Sequence, residues 1–190
     1  MMINRKKDRG VPDEKTQVGA LYDQYVPRLL SICIRYTGNR EDAEDVLHDG
    51  FIKIIKGIGQ FKVRNEHSLQ AWMKKIIVNT ALNHLRDHKK EKFFLSVEDD
   101  QPILQIADEE SEEPFHGLTI SKDELMNLVC ELPTGYRTVF NLYVMEGYPH
   151  KKIATLLGCS ENTSKSQLSK ARSFLRKQLE LYREHALSSH

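Results

Sequence analysis

The sequence predicts an all-α protein made of two small helical domains that are joined by an acidic linker. Apolar residues recur every three or four positions through most of the chain, and no stretch alternates with a period of two for long enough to predict a strand. Residues 1–92 carry a net charge of +6, residues 93–132 carry −10, and residues 133–190 carry +5. Two cationic blocks around an anionic segment indicate two surfaces that bind a polyanion, separated by a segment that repels it.

Composition excludes several classes of protein before any motif is considered. The chain has 190 residues, of which 39% are hydrophobic, enough for two modules that each bury one helix face. Its cysteines, Cys33, Cys130 and Cys159, are scattered without a C-x-x-C pair, which indicates a reducing compartment and argues against a disulfide scaffold or a zinc ribbon. The N-terminus is polar and every apolar run is short, so we expect a cytoplasmic protein without membrane insertion.

The first domain is predicted over residues 17–92, after a charged segment, residues 1–16, that we expect to be a flexible tail. Three helices are predicted here; the first ends near Gly38, Asn39 caps the second, and Ser68 caps the third, which ends in a run of cations. Their apolar stripes are Leu21, Tyr25, Leu29, Ile32 and Tyr36; then Ala43, Leu47, Phe51, Ile54 and Ile55; then Leu69, Trp72, Met73, Ile76, Ile77, Thr80, Leu82 and Leu85.

The second domain is predicted over residues 121–184 and follows a linker, residues 93–120, that is acidic, lacks a helical period and contains two prolines. Ser121 and Glu124 have the spacing of a capping box, which opens the first helix of this domain. A turn at Pro133 leads to another helix that stops at Gly147. Residues 185–190 are expected to form a short tail.

The last fifty residues have the spacing of a helix-turn-helix. Pro149 starts a short helix over residues 150–157, Gly158 and Cys159 make a tight turn, and Ser160 caps a second helix that runs to about Tyr182. The solvent face of this second helix combines short polar groups that can hydrogen-bond to base edges with cations that suit phosphates. Those residues are Asn162, Thr163, Lys165, Ser166, Ser169, Lys170 and Arg172. Taken alone, the pattern also fits a helical hairpin with a solvated basic face.

With these elements in order, the sequence resembles the σ factors of the extracytoplasmic-function type, which belong to the σ70 family. Glu41–Phe51 is similar to their second conserved region, and Ala71–Arg86 is similar to the helix that meets the promoter. Leu132–Tyr148 is similar to the start of their fourth region, and Lys151–Arg172 resembles its helix-turn-helix. Two ordered matches on either side of an acidic linker are more specific than a helix-turn-helix alone.

The resemblance implies a factor that binds core RNA polymerase and then recognises and melts specific promoters. The acidic second helix would dock on the clamp helices of the β′ subunit, and the second domain would meet the β flap. The residues implied in clamp binding are Asp42, Glu44, Asp45, His48, Asp49 and Lys53. The linker would thread toward the RNA exit path, and an anti-σ factor linked to the membrane would hold the protein inactive.

Two DNA-binding surfaces follow from the same resemblance. The recognition helix would read the minus-thirty-five element in the major groove, with Lys165, Ser166 and Ser169 nearest the bases. The loop at residues 59–68 and one face of the third helix would capture the melted minus-ten strand, where aromatics and amides can hold a flipped base. The residues implied there are Phe61, Lys62, Arg64, Asn79, Asn83 and Arg86, with Phe61 as the candidate aromatic.

Several residues depart from the family pattern. His48 and Gly50 stand where glutamine and a helix-favouring residue are more common, which affects the expected clamp contacts. Lys152 replaces a glutamate, and Asn162 and Ser164 replace a glycine and a valine at the start of the recognition helix. These differences bear on promoter sequence more than on the class of protein.

Other functions are less consistent with the residues. A self-sufficient helix-turn-helix regulator, whose first half dimerises or binds a ligand, is the alternative, and it would prefer palindromic operators. An enzyme such as a recombinase needs a catalytic serine or tyrosine among clustered arginines, whereas the arginines here are dispersed, so we expect no catalytic activity. His84 and His88 are four apart but have no third ligand, so we expect neither a metal nor a cofactor. Trp72 lies on an apolar stripe and is expected in the core.

Overall fold

The structure is a computed structural model that describes residues 14–62, 65–88 and 121–188, without the side chains of residues 14–17, 88, 122 and 183–188. All regular secondary structure in these residues is helical, which confirms the predicted fold class. The helices are α1 (Glu14–Thr37), α2 (Arg40–Ile58), α3 (Glu66–His88), α4 (Lys122–Glu131), α5 (Thr134–Phe140), α6 (His150–Leu157) and α7 (Glu161–Ser188). The predicted linker, Arg64 and most of the predicted N-terminal tail lie outside the described residues.

Helix ends in the first domain follow local chemistry. Gly38 ends α1 with a φ of 81°, a left-handed conformation that favours glycine. Asn39 caps α2 as predicted, because its Oδ1 accepts from the Asp42 backbone N–H at 2.8 Å. The predicted cap of α3 is wrong. Asn65 takes that role, since its Oδ1 accepts from the Ser68 backbone N–H at 2.8 Å and α3 begins at Glu66. An asparagine caps a helix as well as a serine does, so capping preference alone could not place the start of α3.

The first domain packs α1, α2 and α3 around one apolar core. Tyr36, Ile54, Met73 and Ile77 are its largest fully buried side chains, with one or two contributed by each helix. Burying a side chain of this size stabilises a fold by about 1.5–3 kcal/mol each. This core sets the directions in which the outer faces of α2 and α3 point.

Gly50 brings α2 and α3 unusually close together. A Cβ built on this glycine would lie 2.5 Å from Cδ1 of Ile77, so a larger residue would displace either the isoleucine or the whole helix. Gly50 is itself buried in the middle of α2, where glycine costs about 0.5–1 kcal/mol relative to alanine. The close approach explains this departure from the family pattern.

The second domain is built on a capped helix and an irregular turn. The capping box at the start of α4 is confirmed: Ser121 Oγ accepts from the Glu124 backbone N–H at 3.2 Å, and Glu124 Oε2 accepts from the Ser121 N–H at 2.8 Å. After α5 the chain continues in a π-helical turn, Asn141–Met145, and leaves it at Gly147, whose φ is 68°. Such turns are often found at functional sites, because they re-aim the side chains that follow.

The second domain contacts the carboxyl end of α1 through polar groups, and we name this contact the interdomain joint. The buried guanidinium of Arg137 donates to the carbonyls of Tyr36 at 3.1 Å and Thr37 at 2.7 Å, and also to two carbonyls at the end of α4. Asn141 Nδ2 donates to the carbonyl of Arg35 at 2.8 Å. The donors therefore satisfy the carbonyls that a helix leaves unpaired at its last turn.

Charged side chains complete the interdomain joint. The carboxylate of Glu146, of which only 7% is exposed, lies 2.7 Å from Lys74 Nζ and 3.6 Å from Arg35 Nη2. The hydroxyl of Tyr36 is buried beside this group, so burial raises the pKa of that phenol and the Glu146 charge raises it further. One acid from the second domain thus meets cations from both α1 and α3.

Candidate polymerase and nucleic-acid interfaces

The exposed face of α2 forms an acidic strip. Glu44, Asp45, His48 and Asp49 are all exposed, and their spacing puts them on one side of the helix. Ile52, which is 38% exposed, extends the strip by one turn. Sequence reasoning missed this isoleucine, although its position off the apolar stripe could have indicated it. We use "acidic strip" for Glu44, Asp45, His48, Asp49 and Ile52.

Two of the residues predicted to bind the clamp helices, Asp42 and Lys53, have partners within the domain. Asp42 Oδ2 accepts from Asn39 Nδ2 at 2.8 Å, and Asp42 Oδ1 lies 3.8 Å from His84 Nε2 on α3. Lys53 Nζ donates to Thr80 Oγ1 at 3.1 Å. Both side chains therefore tie α2 to its own domain, whereas Glu44 of the acidic strip pairs along the helix with Arg40, whose Nε lies 2.7 Å from Glu44 Oε1.

The candidate face for a melted strand lies along α3. Asn79, Asn83 and Arg86 are exposed, and their spacing of four and three places them on one side of the helix. Arg86 Nη2 donates to Asn83 Oδ1 at 3.2 Å, which orients the amide. The spacing of Trp72 and Asn79, two turns apart, puts the indole on this same side, about 10 Å along the axis.

Phe61 stacks on Trp72, with ring centroids 4.6 Å apart and planes inclined by 18°. Trp72 in turn lies against Gly57, where a Cβ would come 3.0 Å from Cζ2 of the indole. Trp72 is half-buried and packs against the core, as predicted from its position on the apolar stripe. One face of Phe61 is thus taken by protein, and Lys62 beside it is exposed.

The helix-turn-helix consists of α6 and α7. Gly158 makes the turn with a φ of 68°, and Ser160 caps α7 by accepting from the Thr163 backbone N–H at 2.9 Å. Ile153, Leu157, Leu168 and Ala171 are buried between the helices. The cap and the apolar contacts together hold α7 at a fixed angle to α6.

The predicted recognition residues divide into two groups. Thr163, Ser166 and Lys170 are half-buried, and the Thr163 hydroxyl lies 2.9 Å from Ser160 Oγ within the cap. The exposed members are spaced along one line of α7, which Arg176, also exposed, extends. We name this line the recognition stripe; it consists of Asn162, Lys165, Ser169, Arg172 and Arg176. Arg176 was not predicted, although it is four residues beyond Arg172.

Lys152, one of the departures from the family pattern, has a local partner. Its Nζ lies 3.4 Å from the centroid of the Tyr148 ring. A cation over an aromatic face is stabilised by about 0.5–1 kcal/mol at an exposed site. The ring therefore supports a lysine at this position.

Two other kinds of site, a metal centre and a membrane span, bear on the residues that the structure describes. Among them, no group of three or more histidine, cysteine, aspartate or glutamate side chains is arranged to hold a metal ion. His88, the second member of the predicted histidine pair, has a side chain that is not described. No helix within the described ranges is both long and apolar enough to cross a membrane.

Comparison with known proteins assigns both halves of the chain. Residues 21–91 match the family described as Sigma-70 region 2, and residues 122–175 match the family described as Sigma-70, region 4. The RNA polymerase sigma factor SigV of Bacillus subtilis is 30% identical over 148 residues, which cover 78% of this chain and 82% of the relative. The ECF RNA polymerase sigma factor SigW of the same organism is 24% identical, covering 94% of this chain and 97% of the relative.

A solved structure is also similar, with 20% identity and a TM-score of 0.48 over 86% of this chain and 97% of the other. It is the sigma factor RpoE in complex with the anti-sigma factor NepR from Bartonella quintana. The family matches follow the order of the two domains described above, and they fall on either side of the acidic segment. The chain therefore belongs to the extracytoplasmic-function group of the σ70 family, a non-catalytic family of σ factors that initiate transcription with RNA polymerase.

Proposed function

We propose that this σ factor docks on core RNA polymerase through the acidic strip of α2 and reads its promoter through the recognition stripe of α7. The observation that carries the proposal is the separation of charge between two exposed helix faces on different domains. The acidic strip holds three carboxylates, which DNA would repel, whereas the recognition stripe holds three cations and two short polar side chains. Each face thus suits a different partner, since only the second is complementary to phosphates.

In this proposal the exposed face of α3 captures the melted strand. Asn79 and Asn83 offer donors and acceptors for the Watson–Crick edge of an extruded base, and Arg86 offers a charge for the adjacent phosphate. The Phe61–Trp72 stack lies on the same side of α3 and would provide an aromatic platform. Lys62 and Arg64 would contact the strand beside it, and Thr163, Ser166 and Lys170 would support the recognition stripe.

Other partners follow from the same reading. The second domain would meet the β flap of polymerase. In the first domain, Asp42 and Lys53 would support the acidic strip where it binds β′. An anti-σ factor linked to the membrane would mask these polymerase-binding faces until a stimulus releases them, and the σ factor itself would work in the cytoplasm. If the anti-σ factor and polymerase share the acidic strip, one charge reversal there should weaken both interactions.

The first test is binding of the purified chain to core RNA polymerase, followed by run-off transcription from genomic fragments. We expect specific start sites that appear only with both components present. A chain that ignores polymerase but shifts duplex DNA alone would instead support the stand-alone regulator, which prefers palindromic operators.

Charge reversal on the acidic strip tests the docking face. We expect Asp49→Lys to weaken the affinity for core polymerase roughly tenfold or more, because a lysine there would repel a complementary cationic surface. Asp23→Lys is the matched control, since Asp23 is also exposed but lies on α1. Both variants should keep the helical content of the wild-type protein. Equal affinities for the two variants would remove α2 as the docking face.

Removing a cation from the recognition stripe tests DNA reading. Lys165→Ala should reduce promoter affinity and lower the slope of log affinity against log salt concentration by about one, because one phosphate contact is lost. Lys177→Ala is the control, because Lys177 is exposed on the same helix but lies off the stripe. Holoenzyme binding to a promoter fragment at several salt concentrations measures both quantities. An unchanged slope for Lys165→Ala would count against the recognition stripe.

A further inference from the structure

Ser164 is fully buried at the start of the recognition helix, at a position where this family usually has an aliphatic residue. Its Oγ lies 2.9 Å from Nδ1 of His150, the first residue of α6. The contact joins the two helices of the helix-turn-helix by a hydrogen bond in place of apolar packing. Because Ser164 is inaccessible, any effect that it has on promoter binding must act through other residues.

The imidazole of His150 is fixed by a second contact. Its ring stacks on Tyr143, with centroids 4.6 Å apart and planes inclined by 22°. Tyr143 lies in the π-helical turn, and the guanidinium carbon of Arg172 is 6.0 Å from the centroid of its ring. Contacts thus run from Ser164 in α7 through His150 and Tyr143 and back to Arg172, about two turns further along α7. They bracket the part of the helix that carries Lys165 and Ser169.

A hydrogen bond constrains the helix in a way that apolar packing does not. Apolar contacts are non-directional and permit small rotations about the helix axis, whereas a bond to a ring nitrogen requires one direction. For a helix whose side chains extend about 5–6 Å from its axis, a rotation of roughly 20° moves their tips by about 2 Å. Hydrogen bonds to base edges tolerate only a few tenths of an ångström around 2.9 Å, so such a rotation would change which bases are read.

We propose that His150 and Ser164 are a positioning pair, which sets the rotation of α7 and so determines the base pairs that Asn162 and Lys165 can reach. Neither residue needs to contact DNA. The inference rests on the function proposed above, in which the recognition stripe reads the promoter. It adds that His150 and Ser164, which lie outside the stripe, control which base pairs the stripe contacts. Tyr143 supports the pair by holding the ring of His150.

The test separates positioning from stability by removing the two polar groups one at a time and together. His150→Phe keeps an aromatic ring to stack on Tyr143 but lacks the nitrogen, and Ser164→Ala lacks the hydroxyl. Each single variant leaves a buried polar group without this partner and should melt at a lower temperature. The double variant removes both groups, so its melting temperature should return toward that of the wild-type protein.

Promoter specificity is then measured with the full-length chain and core RNA polymerase. The probe is a promoter fragment found by run-off transcription, together with its single base-pair substitutions across the upstream element. Wild-type holoenzyme should discriminate against the wrong base pair by roughly tenfold at positions read by the first turn of α7. We expect the double variant to discriminate less than threefold there and to lose discrimination also at positions read by Ser169, because α7 rotates as one helix, while the affinity for core polymerase stays unchanged.

The outcomes are distinguishable. A double variant that recovers stability but not base discrimination supports the positioning pair. Recovery of both, or wild-type discrimination in every variant, shows that the contact is only structural and overturns the inference, while the proposed function stands. A wild-type chain that fails to bind core polymerase or to direct specific starts overturns the proposed function, and the inference with it.

Discussion

The interdomain joint and the contact between α6 and α7 both hold two helical units together, but hydrogen bonds and ion pairs are more numerous among the described contacts of the joint. At the joint, Arg137 and Asn141 donate to main-chain carbonyls at the end of α1, and Glu146 pairs with cations. Between α6 and α7, four aliphatic side chains are buried and His150–Ser164 is the polar contact described between them. When a contact opens, water can replace the lost polar partners. Apolar surface that becomes exposed has no such replacement, so its exposure costs free energy.

The contact between α6 and α7 should resist separation more strongly than the interdomain joint. A hydrogen bond between neutral groups contributes only about 0.5–1.5 kcal/mol net, and one from a charged group such as Arg137 about 1.5–3 kcal/mol, because folding exchanges it for bonds to water. An apolar side chain that is fully buried contributes more, and its loss also leaves a cavity. We therefore expect the helix-turn-helix to stay intact under conditions in which the interdomain joint opens.

The largest effect is expected from breaking the apolar contact. Ile153 is completely buried, and Ile153→Ala should lower the free energy of unfolding of the second domain by about 2–5 kcal/mol. Chemical denaturation of the full chain, followed by circular dichroism, measures this loss. Ile52→Ala is the control, because the same atoms are removed from a residue that is 38% exposed. Equal losses in the two variants would contradict the assignment of Ile153 to the core.

An intermediate effect is expected from breaking the polar contact. Arg137→Leu removes the donor to four carbonyls, two of them on α1, so the joint should open more often. The cysteines report this opening. Cys33 is fully buried in α1, and Cys130 Sγ lies 3.8 Å from the carbonyl of Ile34 across the joint. Burial raises the pKa of the Cys130 thiol and raises that of Cys33 to about 12, which suppresses their thiolates.

We expect Cys130 in Arg137→Leu to react with a maleimide roughly tenfold faster per thiolate than in the wild-type protein, which corresponds to about 1.4 kcal/mol of easier opening. The rate is compared per thiolate because loss of the Arg137 charge by itself raises the pKa of the Cys130 thiol. Cys159 lies in the turn of the helix-turn-helix and is the internal control. Mass spectrometry of timed samples gives the three rates separately. A rise at Cys159 equal to that at Cys130 would indicate general unfolding, and an unchanged rate at Cys130 would show that Arg137 does not hold the joint.

The fold was largely predictable because its causes are local. Helix stripes, the cap at Asn39 and the capping box at Ser121 depend on residues within about one helical turn of each other, and the sequence shows them directly. The interdomain joint was not predicted, since Arg137 and Tyr36 are 101 residues apart and an arginine on a helix is ordinarily solvated. Only the fold can bring that donor to the end of α1.

The candidate sites were predictable to a smaller extent. Periodicity identified the helix faces, but it could not separate Asn162 and Lys165, which are exposed, from Thr163, which is engaged in its own cap. It also could not show that Ser164 has a buried partner, because His150 lies fourteen residues earlier on another helix. Burial and pairing across helices therefore limit what a single-sequence reading of a binding face can achieve.

The smallest effect is expected at the surface contact between α4 and α7, which is polar like the interdomain joint but is exposed to solvent. Hydrogen bonds from the Tyr182 hydroxyl and from Ser121 lower the pKa of Glu124 from 4.5 to about 2. A carboxyl whose pKa is lower in the folded state stabilises the fold above pH 4.5, and this contribution is lost as the pH falls toward 2.

We expect the melting temperature of Glu124→Gln to differ only slightly from that of the wild-type protein at pH 7, because the contact is solvated. The difference should shrink further between pH 4.5 and pH 2, where the wild-type carboxyl takes up its proton. Melting curves at several pH values measure it, with Glu131→Gln on the same helix as the control. A difference between wild type and Glu124→Gln that grows on acidification would contradict this assignment.

Gly50 sets the distance between α2 and α3 in the first domain. Because Gly50 has no side chain, α2 can approach Ile77 closely. This approach determines the distance between the acidic strip on α2 and the exposed amides of α3. If those two faces bind polymerase and a DNA strand, as proposed, then the distance between the two partners is set inside the core, by a residue that neither partner can reach. Promoter opening would then depend on an interior dimension of the protein as much as on its surface chemistry.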